Sequence, residues 1–116
     1  ARIGRLGGMF QDYRVVLFEN DSADSTLEFL RDWQAADPRV AVVSERLGVR
    51  RFRQDRSLGR AAWLARCRNR YLRHAVAEHG CSDFAVFVDT DLPGGWSYDG
   101  IAHTFGHDDW DFVGSY

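Results

Sequence analysis

"YRVVLFENDSADSTLEFLRDWQAADPRVAVVSE", residues 13–45, is the stretch whose reading decides the fold. "YRVVLFE" (13–19) is an apolar, β-branched run with the length of a strand. "NDSADSTLEFLRDWQAAD" (20–37) then offers several N-caps, acids in a first turn, and Leu27, Leu30 and Trp33 at helical spacing. Pro38 stops that helix, and "RVAVVSE" (39–45) is a second apolar strand ending on Ser44 and Glu45. Strand, helix, strand is the unit of a parallel sheet.

The rest of the chain extends the pattern. Residues 2–10 read as a short helix or its tail, and "RLGVRRFRQDRS" (46–57) is too charged for a core element and reads as a loop. A long helix is expected from about Ser57 to His79, with Gly80 as its C-cap. "FAVFVDTDLPGGW" (84–96) supplies a third strand over 83–89 and then a Pro- and Gly-containing loop. A short helix around 98–106 and a last strand from near Trp110 complete the pattern. Strands that are nearly all apolar and alternate with helices predict an α/β class, with a mostly parallel sheet covered on both faces.

With 116 residues and 13.3 kDa there is room for one domain with a modest core, and no linker, repeat or low-complexity tract divides it. Apolar content of 45% with 28% charged residues argues for a folded chain and against disorder. The net charge of -2 sets up no global field for nucleic acid or a membrane surface, so neither is an expected partner. All 15 basic residues are Arg, concentrated from Arg46 to Arg73. Arg offers a planar fork suited to phosphate, although the absence of Lys is explained first by base composition. Cys67 and Cys81 form neither a disulfide framework nor a metal-knuckle spacing, so free thiols in a reducing, cytoplasmic setting are expected. No stretch has the length of a transmembrane helix, and the start of the chain lacks the order of a signal peptide.

In open parallel sheets, ligands bind beyond the carboxyl ends of the strands. Those ends are acidic here: Glu19, Asn20 and Asp21 after the first strand, Ser44 and Glu45 after the second, Asp89 and Asp91 after the third. Ser22 and Ser25 suffice to cap the following helix, which leaves Glu19 and Asn20 surplus to capping. Asp89 and Asp91 lie two apart, so in extended geometry both leave the same side of the backbone. Two carboxylates so close favour a cation between them, and hard oxygen donors select Mg²⁺ or Mn²⁺. Gly94 and Gly95 allow a ligand to approach the backbone.

On the long helix, a count of about 100° per residue from Arg60 gives an apolar arc from Tyr71 and Leu64 through Ala75, Ala61, Leu72 and Ala65 to Val76. Arg68 falls at about 80°, inside that arc, whereas Arg66, Arg70 and Arg73 fall on the opposite face. An inward Arg either snorkels past its small Ala neighbours or needs an anion: a core acid, a cleft carboxylate or a ligand phosphate. Arg60 and Asn69 flank the arc. His103 and His107, four apart, carry no zinc motif around them and read as surface or capping histidines, and Asp108 and Asp109 read as a turn.

Taken in order, "VVLFENDSADST", "GRAAWLARCRNRYL", "FAVFVDTDL" and "DDWDFVGSY" resemble the nucleotide-sugar-binding half of GT-A glycosyltransferases, in particular bacterial family-2-like enzymes and related mannosyltransferases with an "ENDS" segment. The likeness spans most of the chain. It implies a Rossmann-like fold and Mn²⁺- or Mg²⁺-dependent transfer of a sugar from a nucleoside diphosphate donor to an acceptor. By that resemblance Glu19, Asn20 and Asp21 contact base or ribose, and Arg60, Arg68 and Asn69 lie near the nucleotide and diphosphate. Asp89 and Asp91 hold the metal, Asp89 nearer the ribose or sugar. It also implies a longer catalytic domain, whose first strand, acceptor region and any catalytic base fall outside residues 1–116. Two other functions fit a D-x-D after a strand. One is a HAD-like phosphatase or phosphotransferase with Asp89 as nucleophile and Asp91 as acid, although the chain has no Lys and has Pro93 where that chemistry expects Thr. The other is a non-catalytic α/β interaction domain.

Overall fold

A computed structural model describes residues 2–48, 58–90 and 94–114. Its elements are α1 (Arg2–Gly7), β1 (Val15–Asn20), α2 (Thr26–Ala36), β2 (Val40–Glu45), α3 (Leu58–His79) and α4 (Tyr98–Phe105). They fall into two compact units, residues 13–83 and residues 1–12 with 84–116.

The 13–83 unit contains the expected β-α-β arrangement. β1 and β2 pair in parallel, with Val15 opposite Val40 and each later residue in step as far as Asn20 opposite Glu45. Val15 and Val40 are buried and start the ladder on its apolar contact. The turn into β2 is held by Asp37, whose carboxylate accepts from Arg39 Nε and Nη2 at 2.9 Å each and from the Arg39 backbone N–H at 3.0 Å. This fork-to-fork pair keeps the Asp37 carboxyl below its ordinary range. The helix α2 starts after Ser25, which makes no side-chain cap bond. Its neighbour Asp24 takes that part, accepting the Thr26 N–H at 3.0 Å. From the far end of α2, Gln34 Oε1 accepts the Val42 N–H at 2.8 Å. That N–H belongs to the edge of β2 away from β1, so a side chain occupies a ladder position that would otherwise stay open.

α3 packs against β1, with Tyr71 beside Phe18 (ring centroids 6.2 Å apart) and Cys67 buried. The packed face is marked by Trp63, Cys67, Arg70, Tyr71 and His74. It is turned roughly a third of a revolution from the Ala-rich arc expected from the sequence. Within that arc Leu64, Leu72 and Val76 are exposed. The large rings of Trp63 and Tyr71 decide which face is buried, because alanines contribute little apolar area to either choice.

In the second unit, Leu6 of α1 is buried and Phe105 of α4 is ringed by other aromatics. Phe10 and Phe84 meet it edge-on at 4.9 Å and Trp110 at 5.4 Å. α4 begins on Ser97, whose Oγ accepts the Gly100 N–H at 3.0 Å.

The structure corrects the sheet size. Among the described residues the sheet has two strands, and neither 84–89 nor 110–114 forms a ladder. Phe84, Val86 and Phe87, expected in a buried strand, are exposed. Apolar, β-branched character measures a segment's demand for burial, but a strand exists only where another backbone supplies its hydrogen bonds. The class is α/β with a two-stranded parallel sheet, coarser than the Rossmann-like expectation.

Candidate functional site

The carboxyl ends of β1 and β2 form one rigid acidic edge. Glu19 is buried, with 6% of its surface exposed. One carboxylate oxygen accepts the Ser22 backbone N–H at 2.8 Å and the other accepts the Ser44 hydroxyl at 2.8 Å. Burial pushes the Glu19 carboxyl up, and these hydrogen bonds outweigh it, holding the group below its ordinary range. Ser44 stands opposite Glu19 in the ladder, so the contact follows from strand register.

Asp21 adopts a left-handed backbone with φ of +54°. Asp is among the few side chains that tolerate this conformation. Its carboxylate accepts the Leu47 N–H at 3.1 and 3.2 Å and the Gly48 N–H at 3.2 Å. The loop after β1 is thereby tied to the loop after β2. Asn20, at the last rung, directs its amide toward Asp21 at 3.4 Å.

Glu45, opposite Asn20, pairs with Arg70 of α3. This reverses the order that helical periodicity predicts, with Arg70 on the solvated face and Arg68 inward. Arg68 is exposed, as are Arg60 and Asn69. The rotation of α3 described above accounts for the exchange, since it brings position 70 toward β2. The sequence carried a signal for Arg70 in Glu45, an acid at a strand end with no helix to cap.

Asp89 lies in the other unit, exposed, at the end of the 84–89 segment. Its partner in the motif, Asp91, falls outside the described residues together with Leu92 and Pro93. Among the described residues no group of three or more His, Cys, Asp or Glu side chains gathers as a metal site. The donor chemistry of Asp89 and Asp91, two carboxylates two residues apart, suits a hard divalent cation that completes its shell with ligand phosphates and water.

Gly95, expected from the sequence to allow close approach, has neighbours that the sequence did not point to: Arg2, Arg5 with Tyr98, and Trp96. Gly95 is left-handed, with φ of +69°, and a Cβ there would collide with the Arg2 guanidinium, so the glycine gives an arginine close access to the backbone. Arg5 stacks over the Tyr98 ring at 4.1 Å, and the Tyr98 hydroxyl donates to the Arg2 carbonyl at 3.2 Å. The Trp96 indole N–H is buried and has no acceptor among the described residues. A buried donor of this kind is costly without a partner, and an oxygen of a bound ligand would supply one. The signal in the sequence was the two arginines of "RIGRLG" (2–7), spaced one turn apart.

No family model, curated protein or solved structure matches the chain. Among the described residues no helix is long and apolar enough to cross a membrane.

Proposed function

We propose that the chain is the donor-binding portion of a metal-dependent GT-A-type glycosyltransferase, which binds a nucleoside diphosphate sugar and passes the sugar to an acceptor. The observation that carries this reading is the loop after the D-x-D motif. Its left-handed Gly95 lies under the Arg2 guanidinium, and its buried Trp96 N–H lacks an acceptor among the described residues. A phosphorylated sugar offers the anionic and neutral oxygens that such donors accept.

Asp89 and Asp91 are the residues that would hold Mn²⁺ or Mg²⁺. When bound, the cation offsets negative charge on the diphosphate leaving group. The chain's own part is to position and neutralise. Arg2 supplies fixed positive charge at the loop, and by the family resemblance Arg60, Arg68 and Asn69, exposed on α3, are the residues assigned to the nucleotide and diphosphate. The parallel pair supports the same reading by ending on an acidic edge, where sheets of this type receive nucleotides.

Calorimetric titration with UDP- and GDP-sugars, with and without Mn²⁺, tests the proposal. Saturable binding that requires Mn²⁺ is expected, weakened roughly fivefold to tenfold by Trp96→Phe through loss of one hydrogen bond. Absent or metal-independent binding overturns it.

One observation favours a second reading, a non-catalytic interaction domain: the carboxylates of Glu19, Asp21 and Glu45 all have partners inside the fold. The same titration separates the two, because that domain binds no nucleotide sugar.

A further inference from the structure

The C-terminal end of α4 carries a pair of imidazoles that the donor-binding reading does not use. His103 lies in the last turn of α4 and His107 just beyond it. The chain leaves α4 through a tightened turn, with the Gly106 N–H donating to the Ala102 carbonyl at 3.1 Å and to the His103 carbonyl at 3.0 Å, and the His107 N–H to the Thr104 carbonyl at 3.1 Å. That turn brings the two imidazoles side by side, with ring centroids 4.7 Å apart and planes tilted by 47°. Both side chains are exposed.

We infer that His103 and His107 form a two-imidazole chelate for a borderline divalent transition ion such as Zn²⁺. Two nitrogens bound at about 2.0–2.1 Å to one tetrahedral ion stand roughly 3.3 Å apart, a separation that neighbouring rings can adopt by side-chain rotation. Imidazole selects Zn²⁺, Ni²⁺ and Cu²⁺ over Mg²⁺ and Mn²⁺, so this site and the Asp89–Asp91 pair call for different ions.

The support beneath the pair is fixed. Trp110 Nε1 donates to the Thr104 carbonyl at 2.8 Å and to the His107 carbonyl at 3.0 Å, clamping the turn that carries His107. Trp110 is itself packed on Phe105 and Phe84. A chelate on a rigid turn loses less conformational freedom on binding than one on a mobile loop. The location also favours a cation electrostatically: the helix end presents its carbonyl dipoles, and the exposed Asp108 and Asp109 follow immediately. Two protein ligands leave the remaining coordination positions to water or to a second molecule.

The test is calorimetric titration of the 116-residue chain with ZnCl₂ in buffer free of chelators, with imidazole resonances followed by NMR. One saturable equivalent is expected, with the His103 and His107 resonances shifting together. His103→Gln and His107→Gln should each weaken binding by at least about tenfold, because a single imidazole forms no chelate. Both positions are exposed, so circular dichroism should report an unchanged fold. Excess Mg²⁺ should not displace the ion, and Asp91→Asn should leave the Zn²⁺ titration unaltered, which separates this site from the D-x-D pair. Absence of saturable Zn²⁺ binding, or binding that survives both histidine substitutions, overturns the inference.

Discussion

The Glu19 carboxylate and the Ser44 hydroxyl meet at 2.8 Å across one rung of the parallel ladder, 25 residues apart in the chain. The second Glu19 oxygen is held by the Ser22 N–H, so the group works as a lock between two strand ends and a loop. Removing it leaves two donors without their acceptor. Glu19→Ala is expected to destabilise the fold by about 2–3 kcal/mol, read from the urea midpoint. Glu19→Gln retains an acceptor oxygen and should cost less than half as much.

The same lock predicts an acid limb in stability. Glu19 has its folded-state pKa depressed below the ordinary 4.5, so the unfolded chain binds its proton more readily. The stabilisation is fully present above the unfolded value and is lost as pH falls through the folded one. Melting temperature should drop on acidification below about pH 4.5, and that drop should be shallower in Glu19→Gln, which has no proton to bind. A Glu19→Gln curve parallel to the wild-type curve would assign the acid limb to other carboxylates.

Asp21 combines a left-handed backbone with a carboxylate that ties Leu47 and Gly48 to the β1 loop. Substitutions can separate these two contributions. Asp21→Asn tolerates the backbone and keeps one acceptor, so it should remain close to wild type. Asp21→Gly removes the strain but also the tie, and should lose about 1 kcal/mol net. Asp21→Val loses both and should be destabilised by roughly 2–4 kcal/mol. Thermal denaturation of the three variants gives the order.

Arg70 and Arg68 discriminate between the helix face expected from periodicity and the face that packs. Arg70 pairs with Glu45, and both side chains are about one-third exposed at 35% and 32%, so water screens the pair. Arg70→Ala should cost roughly 0.5–1 kcal/mol and Arg68→Ala within about 0.5 kcal/mol of zero. A double-mutant cycle of Arg70→Ala with Glu45→Ala should return a coupling of similar size.

Most element positions were legible in the sequence because their causes are local. Pro38 before β2, Leu27, Leu30 and Trp33 along α2, and Gly80 after α3 each mark an element without reference to the rest of the chain. The burial of α3 was not legible in the same way. Periodicity located an apolar arc through Ala61, Ala65 and Leu72, but Trp63 and Tyr71 chose the packed face, and with it Arg70 over Arg68. The 84–89 segment was misread for a related reason: "FAVFVD" declares a need for cover, and pairing depends on another backbone. At the site, the acids of 19–21 and 45 were found at once, whereas their internal partners Ser44, Leu47 and Arg70 required the register of β1 against β2. Arg2 and Trp96 were missed because nothing local connects "RIGRLG" to "PGGW".

Asp89 and Asp91 bear the strongest functional consequence of the donor-binding proposal. Asp89 is exposed, so its carboxylate is not part of a packed core. Replacing it by Asn keeps size and polarity while removing the charge a cation needs. Asp89→Asn should therefore leave the melting temperature within about 2 °C of wild type, as expected for a surface substitution. Mn²⁺-dependent binding of a UDP- or GDP-sugar should fall by roughly 10–100-fold, the scale on which metal sites respond to altered ligand shells. Gly95→Ala provides a separate arm, since it strains the left-handed backbone and displaces Arg2 while leaving both carboxylates intact. It should weaken donor binding at saturating Mn²⁺ without changing the Mn²⁺ concentration at half effect. If Asp91→Asn left metal-dependent binding unchanged, the D-x-D pair would not be the metal site.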